Sequence, residues 1–341
     1  MGSRSAGAAL LLAGSGLVAG LGLAAGGSAA ADQGPAVVAS IKPIHSLVAG
    51  VMEGVGTPQL LIEGAGSPHS YALRPSQARA LDQAEVVFWV GDGLEAFLGK
   101  PLGALSDDAT VVALGDAEGL RLLPTREGGM WADHGEEEGE HAHEHEDEHE
   151  EEHQEDHADE HGHDHGEVDM HVWLDPQNAA AMVGAIAATL SAADPEHAAA
   201  YEANATKVRA DLARLDAELA ATLAPVHDRP FVVFHDAYQY FEDRYGLNTV
   251  GSITVDPQRA PGAARLREIR AELEERAAAC VFAEPQFRPA LVETVVEGTG
   301  AGTSVLDPLG ADLEAGPGQY AQLLRALSGS LVDCLGTPRS G

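Results

Sequence analysis

The chain has 341 residues, with 54 acidic and 20 basic side chains, 16 histidines, 2 cysteines and a formal net charge of -34. That balance argues against nucleic acid and anionic membrane surfaces as partners, and the length points to about two domains. At 45% hydrophobic the chain can form a core, which excludes wholesale disorder. The charge is uneven: residues 133–169 hold 19 of the acids and 10 of the histidines but no Lys or Arg.

Arg4 precedes a run from Ala8 to Ala25 made of Ala, Leu, Val, Gly and one Ser, with small residues continuing to Ala31. A positive start, an apolar stretch and an A-x-A-like site read as a secretory signal peptide over residues 1–31, cleaved near Ala31. A permanent anchor fits less well, because the run is short, rich in Gly and Ala, and ends in a cleavage-type sequence. No cysteine lies near that point to carry a lipid. The mature protein is expected in a periplasm, without direct membrane insertion.

Short apolar, β-branched runs at Val37–Ile41, Gln59–Ile62, Val86–Val90 and Val111–Leu114 read as strands, with helix-like stretches between them at Pro75–Ala84 and Glu95–Leu105. The same rhythm returns with strands at Phe231–Phe234, Val250–Ile253, Cys280–Phe282 and Thr303–Leu306. Helices are expected there near Tyr238–Tyr245, Ala263–Arg276, Pro289–Glu297 and Gln319–Leu331. The fold class is therefore α/β: two lobes, residues 32–190 and 229–341, each a mostly parallel sheet flanked by helices.

Between the lobes, Asp194-Pro195 offers a cap followed by proline at the first helical position. Val208, Leu212, Leu215, Leu219 and Leu223 then recur on one helical face, without Gly or Pro. One rigid helix over 194–224, about 43 Å long, would join the lobes and restrict hinge bending. The plainer alternative is a surface helix of the second lobe.

The acidic tract contains His141, His143, His145, His149, His153, His157, His161, His163 and His165. It has almost nothing apolar to bury, so disorder is expected. Imidazoles and carboxylates at such density suit weak, exchangeable binding of Zn2+, Ni2+ or Cu2+. The alternative is a solvated acidic spacer. Cys280 and Cys334 can pair in an exported chain, or remain two buried thiols.

Six histidines lie outside the tract: His45, His69, His171, His197, His227 and His235. Ligands of open parallel sheets bind beyond the carboxyl ends of the strands. His69 follows the second strand, His235 follows Phe231–Phe234, and Asp307 follows Thr303–Leu306. His171 lies between the tract and the interlobe helix. Three imidazoles and a carboxylate, two groups from each half, would satisfy tetrahedral Zn2+. His45, after the first strand, could be a fifth ligand; we read it as a residue that supports the site from behind. His197 and His227 are set aside as surface positions.

Three motifs carry a family resemblance: Gly66-Ser67-Pro68-His69-Ser70-Tyr71-Ala72-Leu73-Arg74-Pro75, Met170-His171-Val172-Trp173-Leu174-Asp175-Pro176 and Phe234-His235-Asp236-Ala237-Tyr238. With Leu306-Asp307-Pro308-Leu309-Gly310 and the His-rich insertion, the mature chain resembles ZnuA-like zinc-binding solute-binding proteins of ABC importers (cluster A-I, or cluster 9). The resemblance implies two lobes joined by a rigid helix, with the metal ligands at His69, His171 and His235. It leaves the fourth position to Asp307 or to a water, and we favour Asp307. Some relatives carry a glutamate before the first histidine, where this chain has Pro68. Manganese and iron receptors generally carry a carboxylate where His235 stands.

The function expected is a periplasmic high-affinity zinc receptor, not an enzyme, whose bound ion is Zn2+ and whose partner is an importer permease. It is expected to be a monomer. The alternatives are a manganese or iron receptor of the same family, a zinc buffer acting through the tract, and a three-histidine zinc hydrolase. No H-E-x-x-H spacing supports the last.

Overall fold

The computed structural model describes residues 34–104, 109–126, 168–254, 257, 261–288 and 290–337. The expected signal peptide, its cleavage point and the tract histidines His141 to His165 lie outside the described residues. Strands β1 (Val37–Ala39), β2 (Gln59–Leu60), β3 (Val86–Trp89) and β4 (Thr110–Ala113) form a parallel sheet in the order β2-β1-β3-β4. Strands β5 (Phe231–His235), β6 (Thr249–Thr254), β7 (Cys280–Ala283) and β8 (Gly302–Val305) repeat the pattern as β6-β5-β7-β8. Each lobe therefore has a point where the order reverses, between β1 and β3 and between β5 and β7. Crevices for ligands open at such points.

Strands buried on both faces need apolar side chains throughout, and alternate residues serve opposite layers. Val37, Ala39, Val86 and Phe88 face an inner core. Val38, Val87 and Trp89 face an outer layer that also holds Leu81 of α2 (Pro75–Asp82) and Leu98 and Leu102 of α3 (Asp92–Ala104). In the second lobe Phe231 and Val233 turn inward. Val232 and Phe234 turn outward, toward α7 (Ala263–Glu275) and α8 (Ala290–Val296).

The inner core is one cluster running through both lobes, built on α1 (Lys42–Val51), α4 (Pro176–Ala193), α5 (Ala198–Leu223), α6 (Gln239–Tyr245) and α9 (Gln319–Leu335). The sequence reading does not single out α1 or α4. Every residue of α1 is buried, and α4 is rich in alanine, so neither shows a polar stripe against which to read a period.

The interlobe helix differs from expectation at its start. Asp194 does not cap it: the Asp194 carboxylate accepts from His197 Nδ1 and the Tyr201 hydroxyl, each at 2.8 Å, across a turn that α4 and α5 share. Helix α5 begins at Ala198 and runs 26 residues, about 39 Å. Near its start Asn204 donates to the carbonyls of Val51 and Glu53 in the first lobe. Near its end Glu218 pairs with Arg325 of α9, and Asp216 with Arg244 of α6. Cys280 of β7 and Cys334 of α9 are joined by a disulfide. Among the described residues no helix is long and apolar enough to cross a membrane.

Candidate metal centre

His235 is the last residue of β5, beside the point where the second sheet reverses order. His171 stands at the head of a 3-10 turn, Val172–Leu174, that leads into α4. There Asp175 caps the helix, accepting from the Gln177 N–H at 2.8 Å, and Pro176 fills the first helical position. His69 comes from the loop between β2 and α2. That loop is held by Tyr71, whose ring packs on Phe97 and whose hydroxyl accepts from Gln77 at 2.8 Å.

These elements converge. Nε2 of His69 lies 3.3 Å from Nε2 of His171, which lies 3.4 Å from Nε2 of His235. Two nitrogens about 2.0–2.1 Å from one tetrahedral zinc stand about 3.4 Å apart, so the spacing matches a shared ion. Among the described residues, this trio is the group of His, Cys, Asp and Glu whose ligand atoms all lie within 4.8 Å of one another.

The proton positions follow from the neighbours. His171 Nδ1 lies 2.7 Å from Asp169 Oδ1, and His235 Nδ1 lies 2.7 Å from Glu284 Oε1. A carboxylate accepts, so both histidines donate from Nδ1, which leaves Nε2 with a lone pair in the neutral ring. Lone pairs then face each other across 3.4 Å, an arrangement that repels unless a cation lies between them. The same carboxylates accept from the backbone N–H groups of His171 and His235, which fixes each ring against its own main chain. Such outer hydrogen bonds orient metal-binding imidazoles and raise their basicity.

Burial, reinforced by the two neighbouring imidazoles, lowers the His69 pKa to about 2, so that ring is neutral and ready to bind. Burial lowers that of His235 as well, but the Glu284 carboxylate outweighs it and the net shift is upward. Asp236, next to His235, is raised by burial and forms a bidentate pair with Arg126, which also meets Glu242 at 2.6 Å. Trp173, fully buried, packs 5.4 Å from the His171 ring and donates from Nε1 to the Pro308 carbonyl of the other lobe at 2.9 Å. The resulting cavity is about 10 Å3, lined by the three imidazoles with Pro68, Trp173, Glu284, Gln286, Phe287 and others. It has room for an ion or a water, not an organic substrate.

Asp307, the carboxylate favoured for the fourth position, stands outside the trio. Its oxygens accept from Gln286 Nε2 at 2.8 Å, from the Leu309 N–H at 3.0 Å and from the Ala311 N–H. His45 also lies apart: it sits on α1 and bonds the Pro58 carbonyl at 3.0 Å from Nε2. His197 and His227 bond locally, to Asp194 and to the Ala224 carbonyl. Sequence reasoning missed Asp169 and Glu284 as braces. Signals existed: Asp169 is two residues before His171, and Glu284 directly follows β7, where the rule that found His235 applies again. Of the described residues that flank the acidic tract, Pro124 and Val168 form an isolated bridge, and Arg126 bonds Asp236, the neighbour of His235.

A family model described as ZnuA, zinc-uptake complex component A, periplasmic, matches residues 37–334. A high-affinity zinc uptake system protein ZnuA of Brucella abortus (strain 2308) is 56% identical over 314 residues, 91% of this chain and 94% of that one. Its namesake in Yersinia pestis is 39% identical over 88% of this chain and 91% of its own. A crystal structure of ZnuA has a TM-score of 0.69 at 24% identity, covering 89% of this chain and 99% of that one. A solute-binding protein of Pseudomonas aeruginosa in complex with Mn2+ scores 0.70 at 20% identity, with 89% and 98% covered.

Proposed function

Because the chain belongs to the zinc-uptake complex component A (ZnuA) family, we propose that it is a periplasmic receptor that takes Zn2+ as cargo on His69, His171 and His235 and delivers it to the permease of an ABC importer. The observation that carries this is the pair of 3.3 and 3.4 Å Nε2 separations, with Nδ1 of His171 and of His235 each held by a carboxylate. Zinc here is a transported ligand, not a resident cofactor.

Three nitrogens suit zinc better than manganese or iron, which prefer oxygen-rich sites. A hydrolase needs a base beside the metal. Asp236, adjacent to His235, is instead occupied by Arg126. The acidic tract would raise the local zinc concentration by transient capture. The strut α5, tied to helices of both lobes, argues for closure by small loop shifts and not by a wide hinge.

The test is a competition titration with Zn2+. His69→Ala is expected to lose tight binding with an unchanged fold; binding equal to wild type would sink the assignment. Removing residues 134–165 is expected to lower stoichiometry while the tight site remains. Loss of that site would make the tract the zinc-binding region and the protein a buffer.

A further inference from the structure

Asp307 is held at several points. Besides its bonds to Gln286, Leu309 and Ala311, its loop is clamped by Lys42 of α1, whose Nζ donates to the carbonyls of Gly310 at 3.0 Å, Leu313 at 2.9 Å and Ala311. Gly310 has φ +68°, and a Cβ there would stand 2.6 Å from Gln319, so the turn that aims these N–H groups at Asp307 depends on glycine. Gln286 joins this clamp to the metal cavity. A carboxylate cannot donate, so the Gln286 amide must present its NH2 end to Asp307. Its other end, Oε1, is then buried and finds no hydrogen-bond partner among the described residues, on a side chain that lines the cavity of the three imidazoles. A buried acceptor left unpaired keeps its desolvation cost without return, so Oε1 calls for a donor.

We propose that Gln286 is the specificity-determining residue of the site. Through Nε2 it holds Asp307 off the metal, and through Oε1 it accepts a hydrogen bond from a water that takes the fourth position. A metal-bound water is a strong donor, and a neutral amide oxygen receives its hydrogen without adding charge. The ion is then chosen by three nitrogens, which favours zinc. Releasing Asp307 would add a hard anionic oxygen and favour manganese. This inference rests on the zinc-receptor reading and deepens it.

The experiment compares the mature wild-type chain with Gln286→Leu, Asp307→Asn and the double variant. Each is loaded with Co2+ for visible spectra and titrated with Zn2+ and Mn2+, with thermal unfolding to verify the fold. Asp307→Asn is expected to keep the wild-type spectrum and a zinc Kd within about threefold, because that carboxylate is not a ligand. Gln286→Leu is expected to change the spectrum and to raise Mn2+ affinity relative to Zn2+ by about tenfold or more, and the double variant is expected to lose that gain. On wild-type Co2+ protein, azide is expected to displace the water and shift the bands, a readout that needs no folded variant. A changed spectrum and more than tenfold weaker zinc binding in Asp307→Asn would overturn the proposal, as would an unchanged metal ratio in Gln286→Leu. Neither result touches the receptor reading, which stands or falls with His69→Ala.

Discussion

At the scale of single residues, the site is defined as much by what stands behind the imidazoles as by the imidazoles. Asp169 and Glu284 each bind a ring Nδ1–H and the backbone N–H of the same histidine, so each ring has its orientation and tautomer set before metal arrives. Glu284→Gln and Asp169→Asn should each weaken zinc binding by about 10–100-fold with the fold retained. A competition titration showing less than a twofold change would refute that role. Another buried acid, Glu95, lies at the reversal point of the first sheet. Burial raises its pKa to about 7, although Ser40 and the N–H groups of Val90 and Gly91 oppose the shift. The native state therefore holds that proton more tightly than the unfolded chain, and stability falls as pH rises from about 4.5 to about 7. Glu95→Gln should be close to wild type at pH 5 and more stable by about 2 kcal/mol at pH 8, read by urea denaturation at both values. An equal difference at the two pH values would contradict it.

At the scale of elements, every strand was legible to within two residues at each end, β1 and β2 ending two residues earlier than expected. Val86–Val90 was expected where β3 covers Val86–Trp89, because β-branched runs between polar stretches leave little freedom of register. Helix α5 was legible in its body and not at its start, because a capping sequence at Asp194 competes with a side-chain bond from Tyr201, seven residues ahead. That contact exists only once the helix is packed. The disulfide between β7 and α9 closes a loop of 54 residues in sequence separation. Replacing both cysteines with alanine should lower unfolding free energy by about 2–4 kcal/mol while zinc still binds, since no histidine ligand lies on either element. Denaturation and titration of that variant test the two halves of the statement separately.

At the scale of the whole molecule, the seam where the three imidazoles meet is stitched from both sides. Lys42, Ser46 and Trp173 of the first lobe bond to Gly310, Tyr320 and Pro308, and Arg121 and Arg126 pair with Asp243 and Asp236. With the lobes fixed, pH should act on metal binding through the ligands themselves. His69 is neutral down to about pH 2 and loses no proton on binding. His235 is raised, so its proton competes with the metal from above the ordinary histidine range downward. Affinity should therefore fall as pH drops through the neutral range, by about tenfold per pH unit for one displaced proton. Titrations at pH 7.5, 6.5 and 5.5 measure that slope, and a flat profile would show that no ligand proton is displaced.

Read alone, the amino-acid sequence determined the two-lobed α/β class and singled out His69, His171 and His235, which the fold brings together. Apolar periodicity and short motifs are local properties, and a rule about strand ends converts them into positions in space. It could not decide the fourth position. Asp307 follows β8 just as His235 ends β5, and both look equally free to reach a metal. Only the packed structure brings Gln286 and the Leu309 and Ala311 N–H groups onto that carboxylate, with Lys42 clamping its loop from the other lobe. A side chain's local setting can be read along the chain. Which acceptor wins it depends on partners that folding alone brings near.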